Sequence, residues 1–198
     1  MTEINGLPAH VMLVHVVVVL IPLSALLVVL VAVWPAARQR LDIATAALAV
    51  AALASVPLTT EAGDWLEHRL PRTPLLRIHT QLGDTMLPWA IALAVVALVI
   101  LVRNRRAVGR GQTRAARVGA GGEPATVEIR DSDRRHRPDP KREKMLSAAI
   151  AAIAVVIAVG SVVTVYRIGD SGSRAAWTGQ FSEQPVAPSP GQSGVAPS

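Results

Sequence analysis

The chain is 198 residues long, 51% hydrophobic and only 17% charged, with mean hydropathy +0.40 and a formal net charge of +6. That balance excludes an ordinary soluble domain and places the chain in the membrane class, with room for one helical bundle and no second folded domain. With no cysteine, it also excludes disulfides, thiolate catalysis, iron–sulfur clusters and the Cys-x-x-Cys-His attachment of c-type haem.

Four apolar stretches organise the rest: residues 10–34, 43–60, 86–102 and 146–168. The first and last exceed the roughly 20 residues a bilayer crossing needs, and the middle two sit at the short end of the usable ~17–25. They predict an all-α fold, a four-transmembrane-helix bundle with a short amphipathic outer segment. The bundle takes in residues 1–177, and a disordered Pro/Ser/Gly-rich tail follows at 178–198.

The opening residues carry Glu3 but no Lys or Arg, so they lack the basic region of a secretory signal, and the first span is expected to be retained. An Asn5-Gly6 turn and Pro8 lead into it. Pro22, in mid-span, withholds a donor from the Val18 carbonyl and predicts a kink. Trp34-Pro35 ends the span at an interface, and Arg38 and Arg40 stand in the link that follows.

Span two carries Ala44, Ala47, Ala51, Ala54 and Ser55 at helical spacing, and span four carries Ala151, Ala154, Ala158 and Ser161 beside Gly160. Stripes of small residues let helices approach closely in lipid, so both spans are expected in the bundle interior. After span two, Trp65, Leu66 and Leu70, with Asp64 and His68 a turn apart, predict a short amphipathic helix on the outer surface. Thr73-Pro74 then has the form of an N-cap and first helical position. The helix it opens carries His79, Gly83 and Met86 on one face, and Pro88 is expected to kink it.

Residues 103–145 hold 13 Lys/Arg against 6 Asp/Glu, and 107–144 show no apolar periodicity, which predicts a disordered basic loop. Residues 61–85 are near neutral. The positive-inside rule puts the basic loops in the cytoplasm and both termini outside. The expected partners are the bilayer itself and anionic lipid headgroups at the basic loop. Nucleic acid is not among them, because no aromatic interleaves the arginines.

His10, His15, His68 and His79 fall at the outer side and His136 in the basic loop. His15 lies inside a valine-rich span, where an ionisable residue needs a partner; His79, Asp170 and Arg167 are the candidates. Three readings of these residues stand. A neutral His15 holds the bundle by a hydrogen bond; or imidazoles from two helices take the axial positions of a haem; or histidines and carboxylates converge on an outer metal or proton site, with Asp64 and His68 as further polar partners. His10 and His15 lie about 140° apart around an ideal helix and are poorly placed to share one metal. Gly169 is expected to stop the fourth helix, and Asp170, at a helix C-terminus, calls for a partner such as Arg174. No Ser-His-Asp order, zincin helix, P-loop or dinucleotide fingerprint is present, so the residues lean away from an enzyme.

The stretches Gly6-Leu-Pro-Ala-His10-Val-Met-Leu-Val-His15, Glu61-Ala-Gly-Asp-Trp-Leu66, His79-Thr-Gln-Leu-Gly83-Asp and Tyr166-Arg-Ile-Gly-Asp-Ser-Gly172 resemble, in this order, the family of bacterial membrane proteins catalogued as domain of unknown function 2231. The resemblance covers residues 4–177. It implies a four-helix integral protein of the bacterial cytoplasmic membrane, and, because some members accompany cytochrome-like domains, haem b as a cofactor. The chain departs from the family where Val11 and Val16-Val17 replace prolines or Phe-Pro, and where Asp170 stands in place of His or Tyr. The function expected first is therefore that of a structural or accessory membrane protein without an assigned activity. The alternative is a b-type haem or redox module using His15 and His79, with His10 as substitute and a redox partner or a second copy of the chain to serve it. A small transporter or proton relay ranks third, since only one ionisable residue lies well inside a span.

Overall fold

The computed structural model describes residues 3–4, 7–119 and 140–180. The Asn5-Gly6 turn, His136 and the tail from 181 onward lie outside the described residues. Among the described residues, a two-residue antiparallel ladder, β1 (Glu3–Ile4) with β2 (Leu7–Pro8), precedes five helices: α1 (Ala9–Val33), α2 (Pro35–Glu67), α3 (Pro74–Asp84), α4 (Met86–Gly119) and α5 (Pro140–Trp177). Four helical stretches are long and apolar enough to cross a membrane: α1, α2, α5 and the run Pro74–Thr113, whose apolar part belongs to α4. The fold is the expected all-α four-helix bundle.

The links are short, and each has a local cause. α1 and α2 are joined by Trp34 alone, whose extended backbone (φ −112°, ψ 109°) follows from the clash a proline imposes on the residue before it. Pro35 then starts α2, where its missing N–H costs nothing. Thr73 caps α3, its hydroxyl accepting from the Leu76 N–H at 3.1 Å, with Pro74 as the first helical residue. Pro88 cannot donate to the Asp84 carbonyl and crowds it, so the ladder breaks at Thr85 and α3 is separated from α4. α1 continues as helix through Pro22, and α2 through Pro57.

Four expectations about local structure are corrected. Residues 61–67 are the last turns of α2 and not a separate surface helix; the short amphipathic helix is α3, which buries no residue completely. Residues 107–119 and 140–144, expected in a disordered loop, extend α4 and α5, because Arg, Ala and Lys are good helix formers even without an apolar stripe. Gly169 does not end α5, which runs on to Trp177. The buried face of α2 is not the Ala44, Ala47, Ala51 and Ala54 stripe, all exposed, but Thr45, Ala46, Ala49, Ala52, Ser55, Val56 and Thr59. In a span so rich in alanine, small-residue spacing does not select a face; the hydroxyl residues mark it.

The core runs the length of the bundle through Ile21, Val28, Ala49, Leu93, Ala97 and Ala154. On α5 the expected stripe is in place: Ala154, Ala158 and Ser161 are buried, Ala151 is half-buried, and the benzo edge of the Trp89 indole occupies the space beside Gly160. Yet α5 is the most peripheral span, with 17% of its apolar window buried against 39% for α2. Side-chain contacts fix the helix order. His10 near the start of α1 meets Thr59 near the end of α2, and His79 on α3 meets Ile168 late in α5. At the opposite end, Arg38 and Asp42 of α2 meet Asn104 of α4. The helices therefore alternate in direction, with a histidine end and a basic end.

Candidate functional site

The histidine end is built from backbone carbonyls and glycines. His10, one residue into α1, donates its Nδ1–H to the Thr59 carbonyl of α2 at 3.0 Å. The Thr59 hydroxyl meanwhile donates to Ser55 O (2.7 Å) and leaves that carbonyl to the imidazole. His79, on α3, donates Nδ1–H to Ile168 O (3.2 Å) and to Ser171 Oγ (3.1 Å) on α5. Ser171 spends its own proton on Ile168 O at 2.8 Å, so its oxygen can only accept from the ring.

These partners decide the tautomer. A carbonyl oxygen cannot donate, so Nδ1 carries a proton in both rings, and the neutral form of each ring has its lone pair on Nε2. Burial, reinforced by the neighbouring His10, lowers the pKa of His79, which lies on α3 outside the apolar spans, and the bond to Ile168 O only partly opposes this. His79 is therefore the neutral, donor-competent form at pH 7.

Two glycines admit the rings. A Cβ at Gly63 of α2 would lie 3.0 Å from His10 Cε1 and Nδ1, and one at Gly172 of α5 would lie 2.9 Å from His79 Cε1. Glycine inside a helix costs about 1 kcal/mol relative to alanine, and here it makes the space in which each imidazole sits. The two rings approach to 6.5 Å between centroids with planes at 82°. They border a largely apolar cavity of about 430 Å³ formed by all the helices of this end, within the range of cofactor pockets.

The remaining candidate residues fall elsewhere. His15 borders the same cavity but is exposed, and its Nδ1–H turns back to Val11 O of its own helix at 2.6 Å. The ~140° between His10 and His15 thus turns one ring inward and the other out. His68 bonds Asp64 O (2.7 Å) within α2 and is exposed. Asp170 is paired with Arg174 at 3.0 Å, one turn along α5 and not at a helix end, and Arg167 is exposed. Neither Asp170 nor Arg167 is joined to His15.

Sequence reasoning missed Asp42, 4% exposed near the start of α2. Its Oδ2 accepts from Asn104 Nδ2 at 2.7 Å and pairs with Arg105 at 3.4 Å, and its Oδ1 accepts from the Ile43 N–H at 2.8 Å. The available signal was a lone carboxylate at the mouth of a span, facing an Asn-Arg pair at the end of another.

Two imidazoles are too few for a bare metal ion, which takes three or four protein ligands. Among the described residues no group of three His, Asp or Glu side chains is placed to hold one. Two are the number a haem iron takes when its macrocycle supplies the other four donors. His10 and His79 would hold such a group through their free ring nitrogens, beside a largely apolar cavity, so the donor set fits it. No family model, curated protein or solved structure matches this chain.

Proposed function

We propose that this chain is an integral membrane protein whose histidine end holds a b-type haem between His10 and His79, as a redox or accessory module. The observation that carries the reading is the pair of imidazoles on different helices, each with Nδ1–H fixed on a carbonyl and a glycine opened behind it. The haem would supply one-electron transfer. The protein's part is to orient the two rings, keep their Nε2 lone pairs unprotonated and enclose the site in apolar surface. His15, the first ligand candidate from sequence, yields its place to His10. Membership of the domain-of-unknown-function 2231 family belongs to the same proposal. So does an orientation with the basic end in the cytoplasm of a bacterium and the histidine end outside, for which the charge asymmetry speaks.

The test is the absorption spectrum of protein purified in detergent from cells supplied with haem. Wild type and His15→Leu should carry a six-coordinate low-spin haem, while His10→Leu and His79→Leu should each lose it and remain folded by circular dichroism. A colourless wild type overturns the proposal and leaves His10 and His79 as clasps between helices. Loss of haem in His15→Leu with retention in His10→Leu would overturn the ligand assignment.

A further inference from the structure

The basic end contains a second cavity, of about 250 Å³, between α1, α4 and α5. Arg103, Arg106 and Arg110 line it from one face of α4, at the 3 and 4 spacing that stacks side chains along a helix. Arg38 of α2 enters from the side, and Ser147 of α5 stands within 3.5 Å of Arg103 Nη2. One carboxylate, Glu143, shares the lining. Among the described residues, none of Arg103, Arg106 and Arg110 forms an ion pair with a carboxylate. This contrasts with Arg105, on the other face of the same turn, which is committed to Asp42.

Arg38 is already partly spent. Its Nε donates to Val31 O at 2.8 Å and its Nη2 to Ala32 O, so it caps the carbonyls that α1 leaves unpaired at its C-terminus. It therefore brings positive charge to the cavity while being held rigidly by α1. Apart from Asn104, the rest of the lining is apolar, chiefly Ala32, Ile100, Leu146 and Ile150 at the ends of the apolar stretches. The cavity is thus positively charged on one side and hydrocarbon-like on the other, at the level where a span leaves the lipid.

We infer that this cavity is a binding site for one anionic phospholipid, whose phosphodiester is held by Arg103, Arg106 and Arg110 and whose first acyl methylenes lie on Leu146 and Ile150. Guanidinium groups hold phosphate oxygens by paired N–H bonds, and basic pockets between membrane helices suit such headgroups. The apolar wall is what separates a lipid from free phosphate, which has nothing to place there. Because the site shares no residue with the histidine end, it stands whether or not haem is bound.

Native mass spectrometry of the detergent-purified full chain, incubated with equimolar phosphatidylglycerol and phosphatidylcholine, tests it. Wild type should retain one phosphatidylglycerol in preference to phosphatidylcholine. The triple variant Arg103→Gln, Arg106→Gln, Arg110→Gln should lose that preference by about tenfold or more, each guanidinium near a lipid surface contributing on the order of a factor of five. A control that removes the same charge outside the cavity (Arg40→Gln, Arg142→Gln, Lys144→Gln) should keep it. No preference in wild type, or equal loss in the control, overturns the inference. Inorganic phosphate raising the melting temperature of wild type as much as phosphatidylglycerol does would show a phosphate site and overturn the lipid assignment. The wild-type measurements decide the matter even if the triple variant fails to fold.

Discussion

The two ends of this bundle solve opposite problems with the same four helices. At the histidine end the Nδ1–H groups of His10 and His79 are used up on carbonyls of α2 and α5, and what a neutral imidazole has left is a nitrogen lone pair beside a largely apolar cavity. At the basic end the side chains are guanidiniums, which have donors only and no lone pair to offer. One end is chemically suited to a metal and the other to an anion, and neither can take the other's role. The asymmetry is local, since the small-residue packing between the ends is continuous.

At the histidine end the largest effect expected from a single methyl group falls at Gly172. A Cβ there meets the His79 ring at 2.9 Å, whereas at Gly169, one turn earlier on α5, it meets nothing within 4 Å. Gly172→Ala should lower haem retention at least tenfold, and Gly169→Ala should leave it unchanged. Both should raise helix stability by a few tenths to about 1 kcal/mol wherever the ring can move aside. Haem content after gel filtration, read beside thermal melting, checks the pair. Equal retention would mean that Gly172 does not form the cradle.

A smaller effect is expected at the other end. Asp42→Ala removes the acceptor of Asn104 and Arg105 and leaves the Asn104 amide without its short bond. A buried group that loses its partner costs about 1–3 kcal/mol, so the melting temperature should fall while the haem spectrum stays as in wild type. A changed spectrum would show that the two ends are coupled through α2 and break the comparison just drawn.

The number of apolar spans was legible because the lipid requirement is written as length and hydropathy, and the Thr73-Pro74 start and the Trp34-Pro35 break because capping and proline act through nearest neighbours. The helical extensions of α4 and α5 beyond the lipid were not, since Arg- and Ala-rich segments have helix propensity without a pattern to announce it. The packing face of α2 was hidden by uniform alanine. At the site, His79 was identified from its place on α3, but the choice between His10 and His15 depended on which neighbour supplied a carbonyl and a glycine. Both come from residues about 50 positions away, in Thr59 and Gly63. Long-range partners of that kind leave no trace in local spacing. Asp42 was passed over for the same reason, its partners lying 62 and 63 residues further along the chain.

The most direct test of the central claim, two imidazoles from different helices on one iron, is electron paramagnetic resonance of the oxidised, haem-loaded wild-type protein at low temperature. With imidazole planes at 82°, the two ligands act on perpendicular iron orbitals and leave them nearly equal in energy. The account therefore predicts a low-spin ferric signal of large anisotropy with a single dominant low-field feature. A high-spin ferric signal, which marks one axial histidine or none, would contradict it, as would failure of the protein to take up haem at all.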